Sequence, residues 1–181
     1  MGFLLPFVML TPPAYPRLHS PVDGASMPIP SASITHRLAT AYIFVLRQCP
    51  VADQYLPVIE KYKKQFEHQG IQFEIVFEDE NLTRTKAIFH LKKYGCHAKV
   101  KLDPFHKLAH TWKATTSPEA FLVSKKGQLV YHGRIDDRYL TLGSPRPHAT
   151  QHDLLDSIEQ FIQGKTISEP YARPIGCILQ L

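Results

Sequence analysis

Hydrophobic and polar positions follow two different periods along this chain. Ala41–Leu46, "AYIFVL", is a continuous apolar run of the length and composition of a strand buried on both faces. From Asp53 to His68 the apolar residues recur at three- and four-residue steps, which predicts an amphipathic helix. Pro57 lies inside this helix and is expected to kink it or to mark its first turns. Ile71–Phe77 alternates with a period of two, as a strand does.

The same two patterns continue towards the C-terminus. Helices are predicted in "NLTRTKAIFHLKKYG", "PFHKLAHTW" and "HDLLDSIEQFIQG", and a short strand in "KVKLD". A β-hairpin is predicted from "EAFLVS" to "QLVYHGRI", and the turn dipeptide Asp23-Gly24 predicts a further small hairpin. Early alternation of strands and helices implies parallel pairing, and the late hairpin adds antiparallel edge strands. The predicted class is therefore α/β, a mixed central sheet with helices on both faces.

Composition divides the chain into three parts. Residues 1–17 are rich in proline and apolar residues and are interpreted as a leader or a flexible arm, residues 18–165 as the folded domain, and residues 166–181 as a C-terminal tail that carries Cys177. The tail has too little periodicity for an element of its own. The apolar stretch Phe3–Leu10 lacks a basic start and is interrupted by proline, so it is a poorly formed signal peptide. No apolar segment reaches the roughly 18 residues that a membrane span needs.

Charge and cysteine content exclude several classes of protein. The chain has 21 Lys and Arg against 16 Asp and Glu, a net charge of +5, but the positive charges form no continuous run. We therefore expect no nucleic-acid partner. The three cysteines, Cys49, Cys96 and Cys177, are too far apart for a zinc ribbon or a disulfide framework. Their odd number leaves at least one thiol free or paired between chains.

Cys49 stands where a predicted strand ends and a predicted helix begins, directly before Pro50. A cysteine at a helix N-terminus faces unpaired amide groups and the positive end of the helix dipole, which favour the nucleophilic thiolate. The alternative is a small buried apolar cysteine that fills space. Arg47 is near in sequence, but strand alternation does not fix its direction. Cys96, just after the second helix, is interpreted as a semi-exposed loop or cap residue.

Two motifs together resemble a known family. The strand–Cys49–Pro50–helix order and "TTSPEAFLVSKKGQLVYHGRID" resemble the thioredoxin-like superfamily, in its redoxin type with the AhpC/TSA peroxiredoxins and the TlpA-like proteins. "GRIDDRY" and the closing "IGCI" are similar to one bacterial subgroup. The resemblance implies a thioredoxin-like three-layer sandwich and a cis Ser117–Pro118 bond against the active-site cysteine. It also implies a periplasmic or otherwise exported protein, with the cytoplasm as the alternative.

Two departures from the family pattern shape the expected chemistry. Ala52 stands where the second cysteine of C-x-x-C would be, and Leu46 stands where peroxiredoxins carry threonine. The resemblance therefore implies a thiol-based redox protein, a thiol–disulfide oxidoreductase or a peroxiredoxin-like antioxidant, with Cys49 as nucleophile. Cys177 is the candidate resolving thiol, and Pro118 shapes the site. The expected partners are a protein or small-molecule disulfide or a peroxide.

Other functions stay open at this point. The main alternative is a redox-inert binding module, or a copper chaperone that uses Cys49, Cys177 and a histidine, because soft thiolates suit Cu(I). His106 and His110 would share a helix face, but no third ligand stands at a fixed spacing, so we expect neither metal nor cofactor. The Asp and Arg residues of "GRIDDR" are interpreted as ion pairs that fix a loop. The sequence does not determine the oligomeric state.

Overall fold

The computed structural model describes residues 37–181 of the chain. The predicted arm 1–17 and the predicted hairpin at Asp23-Gly24 lie outside these residues. The helices are α1 (Pro50–Phe66), α2 (Arg84–Lys93), α3 (Lys107–Trp112) and α4 (Asp153–Ile162). The strands are β1 (Ala39–Phe44), β2 (Ile71–Phe77), β3 (Lys99–Leu102), β4 (Thr116–Ser117), β5 (Glu119–Ser124), β6 (Leu129–Gly133), β7 (Tyr139–Thr141), β8 (Ser144–Pro145), β9 (Tyr171–Ala172) and β10 (Cys177–Ile178).

A six-stranded sheet in the order β3-β2-β1-β5-β6-β9 forms the middle layer. β1, β2 and β3 run parallel, whereas β5 is antiparallel to both β1 and β6. The parallel pairs come from the region of alternating strands and helices, and the antiparallel pair β5–β6 comes from the predicted hairpin. The predicted α/β class with a mixed central sheet is confirmed.

Alternate side chains of β1 enter two separate hydrophobic clusters. Ala41 and Ile43 belong to the larger cluster, to which α1, α2 and α4 also contribute, whereas Phe44 belongs to the smaller cluster with Ala109 of α3. Two clusters that share one strand but divide its alternating side chains lie on opposite faces of the sheet. Helices therefore cover both faces, and the continuous apolar run in the sequence follows from this double burial.

α1 begins three residues earlier than the predicted start at Asp53. Its first residue is Pro50, and it continues through Pro57 to Phe66. Proline suits a first helical position because it needs no amide partner and its φ is already helical. Within residues 37–181, no helix combines the length and the apolar character needed to cross a membrane.

The C-terminal tail contains two short strands, which corrects the expectation that it forms no element. β9 pairs with β6 and extends the central sheet, and β10 pairs with β4. Two-residue strands are held by backbone bonds and leave no periodic pattern in the sequence. After β10, Leu179 donates its amide to the Thr115 carbonyl at 2.9 Å and buries its side chain in the smaller cluster. Its neighbour Ile178 is 79% exposed, whereas Leu179 is 6% exposed.

Ion pairs hold the loop that contains "GRIDDR". Arg134 donates to the Asp153 carboxylate at 2.8 Å, and Arg146 donates to Asp137 at 2.5 Å. Asp137 also accepts hydrogen bonds from the amide and the hydroxyl of Thr150. The interpretation of these charges as loop-fixing pairs is confirmed.

One buried carboxylate lacks a hydrogen-bond partner. Glu78 follows β2, is 3% exposed, and neither of its oxygens has a partner among the described residues. By contrast, Asp103 accepts three amide bonds at the start of α3, and Glu119 accepts the amides of Thr115 and Thr116. Burial, together with the negative charges of Asp103 and Glu119, raises the pKa of Glu78 to about 7. In weakly acidic solution the native protein therefore keeps a proton on Glu78.

The buried end of the tail provides a stability test. We expect Leu179→Ala to lower the free energy of unfolding of the oxidised protein by about 2 kcal/mol, because it removes a packed apolar side chain from the smaller cluster. Ile178→Ala is the matched control, and its exposed position should limit the change to about 0.5 kcal/mol. Urea denaturation measures both values. If both substitutions lowered the free energy of unfolding equally, the buried position of Leu179 and the exposed position of Ile178 would be contradicted.

The unpartnered carboxylate predicts a pH dependence of stability. The native state binds more protons than the unfolded chain between pH 4.5 and 7, so the free energy of unfolding should fall as pH rises through this range and level off above it. Glu78→Gln should reduce this slope and stabilise the protein at about pH 8 by on the order of 2 kcal/mol, and a smaller slope should remain because burial also raises the pKa of Glu119. Glu80→Gln, on the same loop but exposed, should keep the slope. Urea denaturation across this pH range measures the free energy of unfolding of each variant. A difference in this free energy between Glu78→Gln and the parent protein that stays the same at every pH would contradict the expectation.

Candidate redox site

Cys49 is the residue that caps the N-terminus of α1. Its carbonyl accepts the amide of Asp53 at 3.0 Å, the first bond of the helix. Because Pro50 has no amide hydrogen, the amides of Val51 and Ala52 are the helix donors left without an intrahelical acceptor. The Cys49 side chain is fully buried. The local sequence thus places one sulfur at the positive end of a 17-residue helix.

Cys177 reaches Cys49 from the other end of the chain. Their sulfur atoms lie at disulfide distance, and their Cα atoms are 6.1 Å apart, within the range that a disulfide requires. The two cysteines are separated by 128 positions in sequence. The structure therefore brings together the two thiols that the sequence analysis considered as partners.

Ser117 connects three segments at the site. Its hydroxyl accepts the Leu46 amide at 2.8 Å, its carbonyl oxygen lies 3.2 Å from Cys49 Sγ, and its backbone pairs with Cys177. The bond from Ser117 to Pro118 is cis. Sequence reasoning named Ser117 only as the residue before Pro118 and missed its contacts, because every one of these contacts joins positions that are far apart in the chain.

Gly176 is the residue that allows the tail to approach Ser117. A Cβ atom added to Gly176 would lie 2.0 Å from the Ser117 carbonyl oxygen and 3.1 Å from the Pro118 nitrogen. Real Cβ atoms do not come this close to backbone atoms, so any larger residue must move the tail away. The glycine before Cys177 is thus a steric requirement of the β4–β10 pairing.

An open cleft of about 410 Å³ gives access to the sulfur pair. Both cysteines line it, together with Ile178, Arg47 and Asp79. Arg47 donates to the Asp79 carboxylate at 3.1 Å, so its charge is shared with an acidic neighbour rather than directed at a sulfur alone.

Glu78 is a second residue near the site that sequence reasoning missed. It lies in sequence between Phe77 and Asp79, which both line the cleft. The segment "FEDEN" has the composition of an exposed acidic loop, and nothing in its pattern predicts that the first carboxylate is buried.

Cys96 is buried, which corrects its interpretation as a semi-exposed residue. Gly95 turns the chain at the end of α2 with a φ of 69°, and the Cys96 amide then bonds back to the Leu91 carbonyl at 3.0 Å. This turn directs Cys96 into the larger cluster, where its side chain is fully buried. Burial raises the pKa of the Cys96 thiol to about 11, so it is a poor nucleophile near neutral pH.

The histidines do not complete a metal site in the described part of the chain. The rings of His106 and His110 are 6.2 Å apart, and no group of three or more His, Cys, Asp or Glu side chains converges among residues 37–181. No histidine of this region therefore joins Cys49 and Cys177 as a third ligand, as the copper-binding alternative requires.

Solved structures with the same fold come from several bacteria. A hypothetical protein from Sinorhizobium meliloti is 22% identical, with a TM-score of 0.68 over 80% of each chain. An uncharacterized conserved protein from Geobacillus kaustophilus is 16% identical, with a TM-score of 0.68 over 82% of this chain and 79% of its own. The thioredoxin domain of a thiol-disulfide oxidoreductase from Bacteroides vulgatus is 14% identical, with a TM-score of 0.51 over 71% of this chain and 81% of its own. At these identities the likeness establishes the fold alone.

A family model extends the comparison to the sequence. No curated protein gives a significant sequence match. The model described as thioredoxin-like matches residues 39–129, half of the chain. The match runs from β1 through α1 and the Ser117–Pro118 segment into β6, and so includes Cys49. This chain belongs to the thioredoxin-like family.

Proposed function

We propose that this protein is a thiol–disulfide oxidoreductase in which Cys49 is the nucleophile and Cys177 resolves the mixed disulfide. The observation that carries the proposal is the pairing of the two sulfurs at the N-terminus of α1. A C-x-x-C motif would place both sulfurs on one helix. Here the second sulfur comes from the tail, and Ala52 occupies the position of the missing partner.

The reaction proceeds by two exchanges of sulfur. In the reduced protein, the Cys49 thiolate attacks one sulfur of a substrate disulfide, and the other substrate sulfur leaves as a thiolate that takes a proton from water. The Cys177 thiolate then attacks Cys49 Sγ, forms the intrachain disulfide and releases the first substrate sulfur. The substrate gains two electrons and the cysteine pair loses two. The same steps in reverse oxidise a dithiol substrate.

Residues around Cys49 support these steps. The free amides of Val51 and Ala52 and the positive end of α1 stabilise the Cys49 thiolate relative to the thiol. The Ser117 carbonyl oxygen, directly before Pro118, lies 3.2 Å from Cys49 Sγ and accepts a hydrogen bond from the thiol in the resting reduced protein, so the helix N-terminus must outweigh it to release the thiolate. We propose disulfides rather than peroxides as substrates, because Leu46 offers no hydroxyl for a peroxide at the position where peroxiredoxins carry threonine.

Cysteine substitutions test the two roles separately. We expect Cys49→Ser to reduce the dithiothreitol-driven reduction of insulin disulfides to the uncatalysed rate. Cys177→Ser should slow turnover and accumulate a mixed disulfide between Cys49 and an insulin chain, visible by mass spectrometry without reductant. Cys96→Ala is the control and should keep full activity, since this buried thiol takes no part. Undiminished activity of Cys49→Ser would refute the proposal.

We also propose that the protein works in the periplasm or another exported location. A protein disulfide persists in oxidising compartments, and the family resemblance points the same way. Fractionation of cells that produce the full chain, with alkylation of free thiols at lysis, tests this. We expect the protein in the exported fraction with Cys49 and Cys177 oxidised. Recovery in the cytoplasm with both thiols alkylated would contradict it.

A further inference from the structure

The tail presents a sulfur to Cys49 from a strand that pairs with β4. Cys49 is fully buried, and the cleft that reaches its sulfur is lined by Cys177 and Ile178. The Cys177 strand shows one way in which an extended chain presents a sulfur to Cys49, and a substrate strand that docks on β4 in the same register presents its sulfur at the same place. The residues around Cys177 therefore show which side chains fit on each side of a reacting cysteine.

Backbone bonds hold the tail in an extended conformation. Cys177 pairs with Ser117 and Ile178 with Thr116 in an antiparallel ladder, and the Leu179 amide donates to Thr115 at 2.9 Å. These bonds use main-chain groups, so they are open to any extended polypeptide of matching shape once the tail leaves.

The position before the cysteine is restricted by sterics. Gly176 lies so close to the Ser117 carbonyl that an added Cβ would be 2.0 Å from the oxygen. A substrate strand in the same register meets the same carbonyl, because Ser117 is held on its other side by the Leu46 amide. Alanine or any larger residue at this position therefore prevents the full ladder.

The two positions after the cysteine differ in burial. Ile178 is 79% exposed, so the first position tolerates any side chain. Leu179 is 6% exposed and packs in the cluster that contains Phe44 and Phe121. An apolar side chain at the second position fills this cavity, and a small or polar one leaves it empty.

We propose that the substrates of this protein are polypeptides with an extended segment in which a glycine precedes the reacting cysteine and a large apolar residue follows it two positions later. The tail, "IGCIL", occupies this substrate site in the oxidised protein and leaves when a substrate strand docks. This inference rests on the proposed thiol–disulfide exchange. It adds that the Ser117 carbonyl selects glycine before the substrate cysteine. The space that Leu179 fills in the smaller cluster selects a large apolar residue two positions after it.

Activated peptides test the selection directly. The full chain carrying Cys177→Ser is reduced and mixed with an excess of the peptide that copies residues 172–181, its cysteine joined to 5-thio-2-nitrobenzoate. The Cys49 thiolate attacks the peptide sulfur, the Cys49–peptide disulfide forms, and the aromatic thiolate leaves and is measured by its absorbance. Peptides with Gly176→Ala, Leu179→Ala and Ile178→Ala are compared, each corrected for its rate with glutathione in place of the protein.

We expect the Gly176→Ala and Leu179→Ala peptides to react about tenfold more slowly than the parent peptide, and Ile178→Ala within about twofold of it. The small reagent dithiobis(nitrobenzoate), which has no peptide backbone, reports whether Cys49 reacts at all. If Cys49 reacts with it but all peptides react equally, the substrate site is refuted and the proposed exchange stands. If Cys49 reacts with neither the reagent nor any peptide, both proposals fail.

Discussion

The site depends on the antiparallel contact between Ser117 and Cys177. This pair, continued by Ile178 and Thr116, aligns the tail so that a sulfur 128 positions away meets the sulfur at the start of α1. Ser117 also receives the Leu46 amide on its hydroxyl, which fixes it to the chain that leads into Cys49. If this contact were lost, the helix N-terminus would keep one cysteine and no partner.

The attachment of the tail is small compared with the domain that it joins. β10 is two residues long, pairs with β4, and is followed by a single buried leucine. The central sheet does not include β10. Breaking the disulfide should therefore loosen the end of the chain and leave the sandwich intact, since the two large hydrophobic clusters are built mainly from the sheet and the helices. Such local loosening is what the proposed substrate site requires, because the tail must leave before a substrate strand docks.

The sequence predicts the elements with strong periodicity well and the contacts of the site only in part. Ile71–Phe77 and Glu119–Ser124 are strands with the predicted bounds, because side-chain burial sets their pattern. β10 and the burial of Glu78 leave no such pattern, since β10 depends on backbone bonds to a distant segment and a single buried residue after a strand has no periodicity. Cys49 and Pro118 could be found from their neighbours in sequence and from the family resemblance. Ser117, Gly176 and Leu179 acquire their meaning only when the tail is seen against β4.

The central claim is that Cys49 and Cys177 form one redox couple, and a redox titration of the full chain tests it most directly. The protein is equilibrated in dithiothreitol buffers of graded potential, quenched with acid, and its free thiols are labelled and located by mass spectrometry. We expect Cys49 and Cys177 to change together in one reversible two-electron transition while Cys96 stays a thiol throughout. Independent transitions of Cys49 and Cys177, or a Cys49 thiol that persists under oxidising conditions, would contradict it.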